Sequence, residues 1–295
     1  MSFELQNSRL RIFVCTGLAL LAFAMNSVLC RLALGGAAID AASFSTARLG
    51  SGAAMLLLLT AVSKGERTLS LRGNWISATL LFLYAVAFSL AYLSLSAGAG
   101  ALILFGSVQA TMLLTALRAG ERPRLLELAG LCIAIAGLVY LVSPGLAAPS
   151  PQSSALMAVA GISWGFYSLR GRKALDPLAD TTGNFVRALP LAIMVSLLMF
   201  SQRHISTKGL LLAVLSGAVT SGLGYVVWYI ALRGLTATRA ATVQLAVPAL
   251  AALGGVLLLS EVITIRLLAA ASMILGGVGL ALLSRQRSVS EKKGD

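Results

Sequence analysis

Charged residues are scarce in this chain of 295 residues, because Asp, Glu, Lys and Arg together make up only 11% of it, against about 25% in an average soluble domain. Hydrophobic residues make up 58%, and the mean hydropathy is +0.90. This composition excludes a soluble enzyme. At roughly 20 residues per membrane crossing, the length accommodates about ten helices and leaves nothing over for a separate aqueous domain.

Histidine and cysteine are also rare. The single histidine, His204, is predicted to lie in a loop, and the three cysteines, Cys15, Cys30 and Cys132, are widely spaced in apolar runs. This spacing predicts neither a disulfide framework nor a metal site. With one histidine and scattered acids, the sequence offers no nucleophile or acid–base pair, so we expect no catalytic residues and no cofactor.

Uncharged stretches mark the membrane crossings almost directly, and turn residues divide the two longest stretches. Six single helices are predicted, at residues 12–30, about 43–63, about 180–201, 209–232, 240–260 and 267–284. Two more are predicted within 73–117, on either side of 94–100, and another two within 128–169, on either side of 143–151. The sequence therefore predicts an all-α integral membrane protein with ten transmembrane helices. Two of these helices contain one arginine each, Arg48 and Arg187, which we interpret as snorkelling towards the membrane surface, with pairing to an anion as the alternative.

Basic residues outnumber acidic ones by 23 to 10, which gives a net charge of +13. Most of the basic residues fall in the tails, 1–10 and 285–295, and in alternate loops. The positive-inside rule then places both termini in the cytoplasm. We interpret the charge as an orientation signal with some attraction to anionic membrane lipids, and we expect no nucleic-acid partner.

The two halves of the sequence are similar when the chain is shifted by about 140 residues. Arg48 falls on Arg187, Arg31 on Arg172, and Tyr92 on Tyr229, while Glu121 falls on Glu261. The halves are 11–142 and 153–284, with five predicted helices each. Because five is odd, the second half is inverted in the membrane relative to the first. Inverted repeats are typical of transporters that open alternately to the two sides.

Several motifs extend this similarity to a known family. They are the small-Glu pairs Gly120-Glu121 and Ser260-Glu261, the arginines Arg48 and Arg187, the Trp164-Gly165 pair and the segment Ala246-Val247-Pro248. With the doubled five-helix unit, they resemble the drug/metabolite transporter superfamily, in particular its ten-helix EamA-type exporters, and most of all the YddG-like branch of aromatic amino-acid exporters. The first half departs from the second, with Phe23-Ala24 in place of Trp164-Gly165 and Ser107-Val108 in place of Val247-Pro248. We interpret Glu121 and Glu261 as helix N-terminal caps favoured by the helix dipole rather than as transport residues.

The candidate binding residues are aromatic or uncharged polar side chains on the helices that line the cavity in the resembled family. They are Phe23, Asn26, Tyr84, Phe88, Ser107, Gln109, Trp164, Tyr167, Tyr225, Trp228 and Gln244. Pro248, Tyr92 and Tyr229 are candidates for a hinge or gate. Three alternatives stay open: Asn26 and Gln244 as helix-to-helix hydrogen bonds, Trp228 and Tyr229 as interface anchors, and Pro248 as a packed kink.

The ten acidic residues are all predicted in tails, loops or helix ends, whereas ion-coupled transporters usually keep ionisable groups inside the membrane. We therefore expect a facilitator in the bacterial inner membrane that exports small metabolites, foremost aromatic and neutral amino acids, and that functions as a monomer. The alternatives are a broad drug or metabolite exporter with proton coupling and, from a different class, a membrane enzyme acting on lipids.

Overall fold

A computed structural model describes residues 2–64, 72–118, 125–143, 148–171, 174–232, 235 and 243–291. These ranges contain ten α-helices, which confirms the predicted fold class. The helices are α1 (Ser2–Gly35), α2 (Ala41–Lys64), α3 (Trp75–Ala91), α4 (Ala97–Arg118), α5 (Leu125–Val142), α6 (Pro151–Gly171), α7 (Pro177–Leu198), α8 (Thr207–Leu232), α9 (Ala246–Leu259) and α10 (Ile265–Glu291).

Polar residues just before the apolar runs determine where several helices begin. The side chain of Asn74 accepts a hydrogen bond from the Ser77 amide at the start of α3. Asp176 and Ser206 cap α7 and α8 in the same way, so side chains satisfy amides that have no partner within the helix. Both α1 and α10 continue into the segments predicted as tails, because charged residues are compatible with a helix outside the apolar stretch.

Helix α8 changes its winding in the middle. Residues Leu215–Leu223 form a π-helix between two α-helical segments. Hydrogen bonds in a π-helix join residues five apart, and such segments are rare and frequent at functional sites. The wider turn brings Ser216, Thr220 and Ser221 closer to one face than an α-helix would. All three side chains are buried.

The packing of the helices follows the sequence repeat. Helix α1 of the first half packs against α8 and α9 of the second, and α6, the counterpart of α1, packs against α3 and α4 of the first. Two further pairs, α2 with α7 and α5 with α10, also join the halves. The most extensive contacts among the described residues therefore run between the repeats, and the centre of the molecule lies where the repeats meet.

Large apolar side chains cover the outside of the bundle, among them Phe13, Val62 and Leu198, each exposed by more than three quarters. By length and composition, four helical segments could each cross a membrane: Leu10–Gly35, Ala41–Ser63, Pro177–Leu198 and Thr207–Leu232. Five further apolar helical segments are shorter, at 10–17 residues. An apolar outer face is the surface that lipid tails solvate well.

The bundle has two ends. The basic end, as we call it, is the end at which α2, α6 and α8 end and α3, α7 and α9 begin. The opposite end carries the connections from α1 to α2, α3 to α4, α7 to α8 and α9 to α10. The larger cavity described below lies at the basic end, and the contacts that close the bundle lie at the opposite end.

Candidate functional site

Aromatic rings from four helices meet where the two repeats pack together. Phe23 on α1 lies 6.2 Å from Trp164 on α6 and 6.1 Å from Tyr225 on α8, between ring centroids. Trp164 lies 4.8 Å from Tyr225 and 5.0 Å from Tyr84 on α3. These separations are typical of interacting aromatic pairs. We call Phe23, Tyr84, Phe88, Trp164 and Tyr225 the aromatic cluster.

The aromatic cluster encloses a small central cavity of about 20 Å³. Asn26, Ser27 and Thr220 add polar atoms to its wall, and Leu104 and Phe105 complete it on the α4 side. This volume is close to that of one water molecule. Any organic ligand therefore has to displace some of the rings.

Asn26 connects the halves through hydrogen bonds. Its side-chain oxygen accepts from Ser216 at 2.7 Å and from Thr220 at 3.1 Å, both in the π-helical part of α8. Its Nδ2 lies 3.4 Å from the hydroxyl of Tyr84. The predicted alternative, a bond between helices, is thus present for Asn26, although the residue also faces the central cavity.

Arg48 on α2 overturns the snorkelling interpretation. Only 1% of its surface is exposed, and its guanidinium lies 5.1 Å from the ring centroid of Tyr84 and 5.0 Å from that of Phe88. Its Nη2 donates to Tyr84 Oη at 2.9 Å, and its Nε donates to Ser221 Oγ at 3.2 Å. Both rings belong to the aromatic cluster and line the central cavity, so a cation lies directly behind its wall.

The counterpart of Arg48 in the second repeat has a different environment. Arg187 is half-buried, and its Nη1 donates to the backbone oxygens of Arg72 at 2.7 Å and Gly183 at 2.9 Å. It therefore joins α7 to the segment before α3. The repeat keeps the arginine but not its role, because only the first copy points into the aromatic cluster.

A second and larger cavity, of about 860 Å³, lies at the basic end. Tyr167, Tyr229, Arg170 and Asn184 contribute to its wall, and we call it the vestibule. Tyr167 separates the two cavities, because its ring also packs against Trp164 with 5.5 Å between centroids. A solute in the vestibule is therefore one aromatic layer away from the aromatic cluster.

Polar contacts between the repeats close the opposite end. Arg31 Nε lies 3.3 Å from Glu261 Oε1, and the same guanidinium donates to the backbone oxygens of Tyr92 and Leu93, both at 3.2 Å. Glu261 also accepts from the Ala97 amide at 2.9 and 3.1 Å. Glu261 thus caps α4 of the other repeat. This contact agrees with the prediction of a helix N-terminal cap, although the capped helix is α4 and Thr264 caps α10.

The connections from α1 to α2 and from α7 to α8 meet at the same end. Ile39 and Ile205 form an isolated antiparallel β-bridge, and Asp40 Oδ2 accepts from the His204 amide at 3.0 Å. Partial burial would raise the pKa of the Asp40 carboxyl, but hydrogen bonds from the amides of Ser43 and His204 outweigh it and lower the pKa. The carboxylate is therefore held in its charged form.

Most of the predicted binding residues converge. Phe23, Asn26, Tyr84, Phe88, Trp164 and Tyr225 line the central cavity, Trp228 packs on Phe23 at 5.7 Å, and Tyr167 forms the wall of the vestibule. The others do not reach the central cavity. Ser107 is buried where α4 packs on α6, and Gln109 and Gln244 are buried and have partners of their own.

The predicted hinge and gate residues lie at three different places. Tyr92 is buried near the closed end, where its hydroxyl donates to the backbone oxygen of Ala97 at 3.3 Å, and Tyr229 lines the vestibule. Pro248 lies in the first turn of α9 rather than in the helix interior. An amide in the first turn has no acceptor within the helix, so this proline breaks no hydrogen bond there. The counterparts Glu121 and Arg172 lie outside the described residues.

Sequence reasoning missed Ser216, Thr220 and Ser221. Three hydroxyl residues within six positions of an apolar helix could have indicated a polar face. Their hydrogen-bond partners could not be predicted, because these residues are far away in the sequence. Arg48 was noticed and misjudged. Its position eight residues into α2 is too deep for the side chain to reach the surface easily, because each residue adds about 1.5 Å of helix.

Comparisons with known proteins agree with this architecture. Residues 153–283 match the EamA-like transporter family. An uncharacterized protein of Pseudomonas aeruginosa is 50% identical over 275 residues, which cover 93% of this chain and 96% of the relative. An uncharacterized transporter of Archaeoglobus fulgidus is 26% identical over 210 residues, 68% of this chain and 74% of the relative.

The fold also occurs among solved structures. One crystal structure superposes with a TM-score of 0.65 and covers 92% of this chain and 97% of its own, at 21% identity. At this level of identity the similarity concerns the fold alone. It agrees with the arrangement of the ten helices described above.

Proposed function

Because the chain belongs to the EamA-like transporter family, we propose that it exports neutral amino acids with aromatic or apolar side chains across the bacterial inner membrane. The observation that carries this proposal is the aromatic cluster at the junction of the two repeats. Rings that stack and hydroxyl or amide groups that donate hydrogen bonds suit a ligand with an apolar body and a polar end. Such sites at repeat interfaces are where transporters bind their substrates.

The arrangement of the cavities supports alternating access from the cytoplasm. The vestibule lies at the basic end, which the positive-inside rule assigns to the cytoplasm, while the Arg31–Glu261 ion pair and the Ile39–Ile205 bridge close the other end. Export then begins in the vestibule, proceeds past Tyr167 into the aromatic cluster, and ends when the opposite end opens. One chain supplies both repeats, which is consistent with a functional monomer.

We further propose that the transporter is a facilitator. The acidic side chains for which burial is described, Asp40, Asp176, Asp180 and Glu261, lie in connections or in the first turn of a helix, and none of them is fully buried. A proton carrier in the membrane interior would need a titratable group that alternates between the two sides. Substrate therefore moves down its own gradient.

Reconstituted protein tests both proposals. Purified protein in liposomes should take up labelled phenylalanine or tryptophan to equilibrium without a pH gradient, and a trapped pH indicator should not change during uptake. Failure to carry any amino acid would refute the substrate assignment. Substrate-dependent proton movement would refute the facilitator mechanism.

A competition screen separates the amino-acid exporter from a broad exporter. The vestibule, at about 860 Å³, is large compared with an amino acid, and this favours the broad exporter as second candidate. Unlabelled aromatic amino acids should compete with labelled phenylalanine, whereas hydrophobic cationic drugs should not. Equal competition by both classes would assign the broad function instead.

A further inference from the structure

We propose that Arg48 binds the carboxylate of the transported molecule, so that the site selects substrates with an anionic group and an apolar body. This inference rests on the proposed function and deepens it, because it assigns the residue that binds the carboxylate of the amino acid. Its basis is a fully buried cation beside the central cavity whose partners are neutral.

The first step is the charge of Arg48. Its surface is 1% exposed, and arginine stays protonated in proteins. The groups around it are the hydroxyls of Tyr84, Tyr225 and Ser221, the thiol of Cys30 and the ring of Phe88. The ion pair found among the described residues joins Arg31 to Glu261 at the closed end of the bundle, and it does not involve Arg48. A charge inside the membrane is retained where it has a function.

The second step is the unused hydrogen-bonding capacity. Nε and Nη2 of Arg48 have hydroxyl acceptors, but the buried Nη1 has no partner in the described part of the structure. The hydroxyl of Tyr225 faces that of Tyr84 and also completes no hydrogen bond. Buried donors without partners are uncommon in folded proteins. Of these two, Tyr225 lines the central cavity, and Arg48 lies behind Tyr84 and Phe88, which also line it.

The third step is geometry. A carboxylate accepts two parallel N–H bonds from a guanidinium, and Nη1 and Nη2 form such a pair. Nη2 is bonded to Tyr84 Oη at 2.9 Å in the structure. A substrate carboxylate that displaces this hydroxyl would accept from both nitrogens. Tyr84 then acts as a neutral substitute that holds the guanidinium in place until substrate arrives.

The remaining charges of an amino acid also fit. Its ammonium group would be oriented away from Arg48, and its side chain would lie among Phe23, Trp164 and Tyr225. An amine without a carboxylate would place a cation next to a cation. The Arg48 guanidinium would therefore both attract the carboxylate and repel such amines.

The test compares ligands that differ only at the carboxylate. In competition with labelled phenylalanine for the reconstituted protein, 3-phenylpropionate should compete, whereas its amide, 3-phenylpropionamide, should compete at least about tenfold more weakly, as for sites built to pair one group. In the variant Arg48→Gln, the ratio of the inhibition constants of amide and acid should fall to near one. The matched control Arg187→Gln, which changes the counterpart arginine, should keep it.

Each outcome is decisive. Equal competition by acid and amide in the unmodified protein would overturn the inference and leave amino-acid export intact. Direct binding of 3-phenylpropionate, but not of its amide, to the purified protein in the absence of amino-acid transport would refute the proposed function and keep the role of Arg48. If Arg48→Gln weakens acid and amide equally, the arginine is structural and the inference fails. Should Arg48→Gln not fold, Arg48→Lys replaces it: a reduced acid preference supports the inference, and an unchanged one overturns it.

Discussion

Arg31 on α1 and Glu261 between α9 and α10 lie 230 residues apart in the chain, yet their side chains form an ion pair of 3.3 Å. The same carboxylate caps α4 through the Ala97 amide. One acidic side chain therefore joins three elements from both repeats. Its loss should release the end of the bundle that is closed in the structure.

We expect Glu261→Gln to open this end more often. Hydrogen bonds to charged groups contribute about 1.5–3 kcal/mol when buried, and partial exposure reduces this to about 1–2 kcal/mol, or a factor of roughly 5–30 in population. Cys30, which is fully buried and adjacent to Arg31, should react correspondingly faster with a thiol reagent when Cys15 and Cys132 are serine.

The control for this prediction is Lys208→Gln, a change of an exposed charge at the same end. It should leave the reaction rate of Cys30 unchanged, whereas Arg31→Gln should increase it as Glu261→Gln does. Identical rates in the unmodified protein and in Glu261→Gln would show that the ion pair does not keep the end closed.

We expect Trp164→Ala to reduce transport of phenylalanine and tryptophan by tenfold or more. Trp164 contacts Phe23, Tyr84, Tyr167 and Tyr225, and truncating a buried tryptophan costs about 3–5 kcal/mol, part of which would be lost from substrate binding. Initial uptake rates at matched protein density in liposomes measure the effect. Trp75→Ala, at a residue that is 60% exposed at the start of α3, should transport normally; a similar loss there would mean that the effect is on folding.

We expect Gly161→Ala to destabilise the packing of α6 on α4. A Cβ at this position would lie 2.5 Å from the backbone oxygen of Leu104 and 2.6 Å from Cβ of Ser107, so the helices would have to separate, at about 1–3 kcal/mol. Thermal unfolding in detergent should show a lower midpoint. The matched control is Gly276→Ala, where a Cβ meets nothing within 4 Å and helix propensity gains up to about 1 kcal/mol. A midpoint for Gly161→Ala at or above the unmodified one would contradict the close approach.

We expect Asp40→Asn to reduce stability at neutral pH by no more than about 1 kcal/mol, because the carboxylate is partly exposed and solvent screens it. The pKa of Asp40 is lowered in the folded protein, so its stabilising effect is present above the ordinary pKa of 3.8 and is lost as the pH falls through the folded value. Unfolding midpoints of both proteins should therefore converge below pH 3.8. A difference that grows on acidification would contradict this assignment.

Much of the aromatic cluster could be predicted from the sequence. Trp164, Tyr84 and Tyr225 stand out because large aromatic rings within apolar helices, away from the ends, are not placed to anchor at the membrane surface. Gln109 and Gln244 looked equivalent to Asn26 by the same reasoning, yet they lie outside the central cavity. Residue type and depth along a helix are visible in the sequence, but the direction in which a side chain points within a bundle depends on the neighbouring helices.

The sequence by itself determined the ten helices and predicts two similar halves and a basic end, because hydrophobic length, turn residues and charge asymmetry are local properties of the chain. Tertiary structure alone determined that Arg48 is buried against Tyr84 and Phe88 while Arg187 binds backbone oxygens, and that Glu261 caps a helix of the other repeat. These outcomes depend on contacts between residues far apart in the chain. Two arginines at equivalent repeat positions look the same in sequence. Only the packing around them places Arg48 against the aromatic cluster and Arg187 against backbone oxygens.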